Sequence, residues 1–120
     1  MFQSMRWVLA ALALAVPGLV PAQEFPVRPI TMIVPWPAGG STDTHMRKFS
    51  EVSSKYVGQQ IVVENRPGGG GMLGPGTMAQ TARPDGYTLS QLPMGAFRIP
   101  HMQKVAWDPL RDFTYIIGVT

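Results

Sequence analysis

At 120 residues the chain holds one domain at most, against a usual range of about 100–200 residues per domain. It has no cysteine, which excludes a disulfide framework, a Cys-ligated zinc site and a lipid anchor on an N-terminal cysteine. Its charges (10 Lys+Arg, 7 Asp+Glu) are scattered rather than clustered, so a nucleic-acid partner has no electrostatic footprint.

In chain order, the first segment reads as a secretory signal peptide over residues 1–22. One cation, Arg6, precedes the apolar run Trp7–Val16; Pro17 and Gly18 break it, and Val20 and Ala22 stand at the −3 and −1 positions of a cut before Gln23. The run falls well short of the ~20 residues that span a bilayer. The expectation is therefore export, with no membrane insertion after cleavage. Without Arg6, nine basic residues face seven acidic ones, a net of +2.

Residues 23–120 open on an extended leader, EFPVRP. Strands are predicted at Ile30–Val34 and Gln60–Glu64, whose nearly unbroken apolar runs suit a parallel sheet covered on both faces. Between them a helix is predicted over Thr44–Val57, with Met46, Phe49, Val52 and Tyr56 as its apolar stripe. Ser41, Thr42 or Asp43 can cap its start, and Gly58 suits a left-handed residue at its end. A glycine-rich loop (Arg66 to Gly76) and a brief helix near Thr77–Ala82 make the second crossover. The turn Arg83–Gly86 then leads into a third strand, Tyr87–Leu92. Pro93, Pro100 and Pro109 forbid a long helix beyond it; a helical turn after Gly95, a loop and a return strand at Tyr115–Val119 are expected. The order β-α-β-α-β implies an α/β fold built on an open parallel sheet with right-handed crossovers.

Few constellations carry chemistry. Gly69-x-Gly71-x-x-Gly74 matches a dinucleotide fingerprint, but its helix is short and the next strand ends without an acid for the ribose. Four consecutive glycines nearly guarantee the match, and a tight structural turn is the better account. His45 and His101 lack the partners of a metal site, and Ser41 lacks a base. No catalytic, cofactor or metal residue is assigned, and the chain is not read as an enzyme. Trp36 and Trp107 read as packing residues.

The best candidate is the loop after the first strand, Pro-Trp-Pro-Ala-Gly-Gly-Ser-Thr-Asp at 35–43. Ligands in open α/β sheets bind beyond the carboxyl ends of the strands, Gly39 and Gly40 allow close backbone approach, and the helix start offers free N–H groups to a carboxylate. Asp43 can cap the helix, repel an anion or pair with a ligand amine. On physical grounds alone, a plain connector and a ligand cradle account for this loop equally well.

The loop, Val-Glu-Asn-Arg-Pro-Gly at 63–68, Pro-Asp-Gly-Tyr-Thr-Leu at 84–89 and Asp-Pro-Leu-Arg-Asp-Phe at 108–113 occur in order. Together they resemble the Bug/TctC-type periplasmic substrate-binding proteins of tripartite tricarboxylate transporters. The resemblance implies a two-lobed, type II periplasmic binding fold that captures an organic carboxylate for membrane permease subunits. It marks Pro37, Ala38, Gly39, Gly40, Ser41, Thr42 and Asp43 as ligand-binding and, more loosely, Met94, Gly95, Ala96 and Phe97 in a second loop, LPMGAFRIP, bulkier and more apolar than in relatives. Members run to roughly 300 residues, so 23–120 is expected to be an incomplete, apparently truncated N-terminal lobe with weak or no binding on its own. The competing expectation is a truncated exported module that binds a sensor or permease without ligand.

Overall fold

The computed structural model describes residues 24–118; the predicted signal peptide and Val119 of the predicted fourth strand lie outside them. The elements are β1 (Ile30–Val34), α1 (Ser41–Val57), β2 (Ile61–Asn65), a 3-10 turn (Gly69–Gly71), α2 (Leu73–Thr81), β3 (Thr88–Ser90), a second 3-10 turn (Met94–Phe97) and α3 (Ile99–Met102). The three strands form one parallel sheet in the order β2-β1-β3. The expected open parallel α/β sheet is what the chain forms.

β1 is central and covered on both faces, which explains its unbroken apolar run. Ile30, Met32 and Val34 pack with Met46 of α1 and Ile61 of β2. Ile33 points to the other face, where α2 approaches so closely that a Cβ on Gly74 would lie 2.8 Å from its Cγ2. β2 departs from the expectation of two covered faces. It is an edge strand whose burial alternates, with Ile61 buried while Val62 and Glu64 are exposed.

α1 starts at Ser41, with Gly40 rather than a hydroxyl or acid at the N-cap and no side-chain cap there. Gly58 closes it at φ +76°, its N–H donating to the Ser54 carbonyl. The predicted stripe holds only in the first half: Met46 is buried and Phe49 half-buried, but Val52 and Tyr56 are exposed. The buried positions are Asp43, Met46 and Ser50. The reason is angular: the face turned to the sheet runs through Asp43, Met46, Ser50 and Ser54, whose hydroxyl accepts the Ile61 N–H at 2.9 Å. At about 100° per residue, Val52 and Tyr56 fall away from that face.

The second crossover begins its helix earlier than predicted, at Leu73, and β3 keeps only Thr88–Ser90 of the expected Tyr87–Leu92. At its early end the leader engages the side chain of Tyr87. Phe25 meets the Tyr87 ring edge-on at 5.0 Å, the Arg28 guanidinium lies 3.8 Å from that ring's centroid, and the Tyr87 hydroxyl accepts the Val27 N–H. The Tyr87 side chain thus serves the leader, while its carbonyl still accepts the Thr31 N–H of β1 at 2.8 Å. The predicted return strand does not form over Tyr115–Gly118, which run irregular and exposed. Among the described residues no strand lies beside them to pair. A second cluster, Met72, Ala96 and Trp107, ties the segment after β3 to the glycine turn and α2.

Candidate functional site

The crossover from β1 passes through α1 to β2 on one side, and the next returns to β3 on the other side of β1. The loops leaving β1 and β3 therefore diverge at a switch in strand order, the place where open α/β sheets leave a crevice. Short bonds hold the loop bases at this edge: the Arg66 N–H donates to the Val34 carbonyl and the Gln91 N–H to the Ile33 carbonyl.

Trp36 joins three loops there. Its indole Nε1–H donates to Gln91 Oε1 at 3.1 Å. Its ring lies against Gly71, where an added Cβ would sit 3.1 Å from the ring and 3.0 Å from Pro93. The half-buried indole also packs on the core around β1, the packing role expected for it. Gly71, at φ +86°, must lack a side chain for the indole to fit. The glycine run is thus a tight turn that also makes room for a tryptophan.

Beyond Trp36 the chain turns at Gly39, φ +85°, and enters α1. The first intrahelical bond runs from the Thr44 N–H to the Gly40 carbonyl. The N–H groups of the preceding turn have no acceptor within the helix, and together with the helix dipole they favour an anion. Pro37, Ala38, Gly39, Gly40 and Ser41 are exposed around this turn, and Thr42 is half-buried.

Asp43 differs from its neighbours. It is buried, 2% exposed, and both its oxygens are occupied. Oδ2 accepts from the Gly39 N–H at 2.8 Å and from Arg47 Nε at 3.0 Å; Oδ1 accepts from Asn65 Nδ2 at 2.8 Å. Asn65 Nδ2 also donates to the Trp36 carbonyl at 3.0 Å, while its Oδ1 accepts from Arg47 Nη2 at 2.7 Å. The Arg47 hydrogen bond, then those from Gly39 and Asn65, lower the Asp43 pKa to about 2. Of the three roles open to Asp43 in sequence, the geometry realises a variant of the first. The carboxylate reaches back from the third helical position to the backbone ahead of the helix, one half of a capping box. It has no free oxygen for a ligand amine.

The second loop offers backbone and apolar surface. Met94, Gly95 and Phe97 are exposed, but Ala96 is fully buried in the Met72–Trp107 cluster, so its methyl is core rather than lining. Gln91 is engaged by Trp36, and the Ser90 hydroxyl donates to the Gln91 carbonyl at 3.0 Å. His45 on α1 and His101 on α3 are both exposed. Arg47 and Asn65 were not singled out from the sequence, although Asn65 lies inside the Val-Glu-Asn-Arg-Pro-Gly motif; Gly71 was read there only as part of a tight turn, not as the seat of an indole.

Comparison with known proteins agrees with this architecture. Residues 45–120 match the family model described as the tripartite tricarboxylate transporter family receptor, TctC. The match begins inside α1, so the Pro37–Thr44 turn lies ahead of it. A UPF0065 protein from the gbd 5' region of Cupriavidus necator is 47% identical over 111 residues, covering 92% of this chain and 34% of the relative. BugT of Bordetella pertussis is 46% identical over 108 residues, 87% of this chain and 32% of its own length. Among solved structures, MatC from Rhodopseudomonas palustris with bound malate aligns at TM-score 0.65 and 40% identity, over 75% of this chain and 31% of that one. An R. palustris protein with adipate aligns at TM-score 0.62 and 29% identity, over 72% and 29%. The chain thus spans about a third of the length of the curated relatives it matches.

Proposed function

The chain belongs to the tripartite tricarboxylate transporter receptor family, and from that premise we propose that it supplies the carboxylate-gripping part of the first lobe of an exported solute receptor. Residues 1–22 act as the signal peptide, 23–120 belong to the N-terminal lobe, and the receptor works in the periplasm. Its ligand is a small organic carboxylate, which lobe closure traps and delivers to membrane permease subunits. The family and its structural neighbours are solute-binding proteins, not enzymes, and no bond is made or broken in this role.

One observation carries the reading. The Gly39 turn and the start of α1 stand at the carboxyl edge of the central strand, beside the loop from β3, with helix N–H groups unspent. Ligand contacts are assigned to the backbone of Pro37–Thr42 and to Met94, Gly95 and Phe97. Ala96 contributes only its main chain, and Asp43 acts from behind. The structures with malate and adipate support a carboxylate as the ligand class.

A cleft wall on one side alone cannot bury the ~70–90% of a ligand's surface that a good pocket covers, so binding by this chain is expected to be weak. Titrating the isotope-labelled chain with malate and adipate should move the amide resonances of Gly39–Thr42 and Met94–Phe97 saturably at roughly millimolar ligand. No movement at either loop up to the order of 50 mM would overturn the reading.

A further inference from the structure

The groups that would meet a carboxylate are backbone amides, yet the most interconnected side chains of the site lie just behind them. Asp43 is sealed, with its charge three residues into α1, beside the N–H groups assigned to the ligand. An unbalanced carboxylate there would oppose any anion arriving at the helix start. Arg47, one turn on, binds it through Nε at 3.0 Å and keeps half of its own side chain in solvent. The pair is electrically neutral, and the helix end keeps its attraction for an anion.

Asn65 occupies the complementary position. It ends β2 in register with Val34, the last residue of β1, and from there touches the loop, the helix and the arginine. One amide hydrogen goes to the Trp36 carbonyl and the other to Asp43 Oδ1, and its oxygen receives Arg47. An aspartate at this position would place a second negative charge against Asp43, and alanine would leave the Trp36 carbonyl and the buried carboxylate each short of a donor. The Gly39 N–H, which orients the turn, is held only through this arrangement, because its acceptor is Asp43 Oδ2.

We propose that Arg47 and Asn65 are positioning residues of the anion cradle: Asn65 fixes the Trp36–Gly39 backbone and Asp43 in place, and Arg47 cancels the Asp43 charge so that the helix amides face the ligand unopposed. The second part rests on the carboxylate reading above; the first does not. Neither residue touches the ligand.

The test uses the full chain, amide hydrogen exchange and malate titration by NMR. Asn65→Ala should speed exchange at Gly39 by about tenfold or more, the scale of one lost charge-assisted contact, while Met32 and Val62 in the sheet keep their protection. Arg47→Gln should weaken malate binding by about tenfold, Arg47→Lys should retain most of it, and the double variant Asp43→Asn/Arg47→Gln should recover several-fold of the loss. A purely structural role predicts the reverse, since the double variant removes more contacts than the single one. Arg47 is half exposed, so its variants keep the fold and decide the charge part even if Asn65→Ala unfolds the sheet. Equal binding by Arg47→Gln and the double variant overturns charge cancellation, and unchanged Gly39 exchange in both Asn65→Ala and Arg47→Gln overturns the positioning of the turn. If the wild-type chain gives no malate response, the carboxylate reading and the charge part fall together, and Gly39 exchange still decides the rest.

Discussion

The unit from Ile30 to Asn65 and the segment from Met94 to Gly118 lie in the same chain but are held in opposite ways. In the first, the central strand is enclosed on both faces and the one buried charge, Asp43, has donors on both oxygens. The second leaves Met94 81%, Leu110 78% and Ile116 75% exposed. What fastens it is mainly Trp107, packed on Gly76 and edge-on to Phe113 at 5.9 Å. The first unit is closed by its own elements on one face and by α2 and β3 on the other face and edge. The second carries more apolar surface than the described residues cover. The first loop is therefore the more rigidly held of the two, and the second depends mainly on one aromatic anchor.

The sharpest way to break this contrast is to remove the anchor. Trp107→Ala should cost about 3–5 kcal/mol of cluster stability, measured as loss of amide protection around Met72 and Ala96, while Met32 and Val62 stay protected. Equal loss in both regions would mean that the two are one cooperative unit. A smaller effect is expected from Gly74→Ala, whose methyl would approach Ile33 Cγ2 at 2.8 Å. Overpacking there should destabilise the sheet by about 1–3 kcal/mol, visible as a lower midpoint in urea.

The cradle glycines should separate. Gly39 has φ +85°, so Gly39→Ala should cost about 1–2 kcal/mol. Gly40 has φ −73° with an added Cβ 3.5 Å from the Pro37 carbonyl oxygen, a conformation and a contact that any residue tolerates. Gly40→Ser should stabilise by a few tenths of a kcal/mol through the missing cap. Thermal melts of the two variants should therefore move in opposite directions.

A further effect is expected in acid. Asp43 drops from an ordinary value of 3.8 to about 2, first through Arg47, then Gly39 and Asn65. Between these values the unfolded chain binds the proton that the folded chain refuses. The Asp43 contribution is therefore whole above pH 3.8 and fades as pH falls towards 2. Glu51 and Glu64, lowered mainly by hydrogen bonds to Lys48 and Arg66, work in the same direction at exposed positions. The Gly39 protection factor, its exchange relative to an unfolded peptide at the same pH, should fall in this window in the wild-type chain, and Asp43→Asn should flatten that dependence.

Much of the sheet was legible in advance because its signals are local. ITMIV has the apolar run of a doubly covered strand, and the apolar pattern from Met46 to Phe49 with Gly58 behind it marks a helix over the neighbouring strand. The fourth strand was misread, since YIIGV has strand composition but the described residues supply no edge for it to join. Val52 and Tyr56 were misplaced because the face turned to the sheet is centred on Met46 and Ser50 and carries polar residues, Asp43, Ser50 and Ser54, that an apolar stripe does not reveal.

The site divides in the same way. The candidate turn was picked out by the order of Pro, Gly and hydroxyl residues after a strand, because turn chemistry is written in neighbouring residues. The inward turn of Ala96, the fit of Trp36 over Gly71 and the sealing of Asp43 by Arg47 and Asn65 did not. Asp43 and Asn65 stand 22 positions apart, and no periodicity in the chain couples them. Sequence by itself determined the parallel α/β sheet and the turn that opens α1, because propensity and spacing act over a few residues. Only the tertiary structure decided which face of that turn is free and which charge is hidden, because burial and hydrogen-bond partnership exist only once distant segments are packed together.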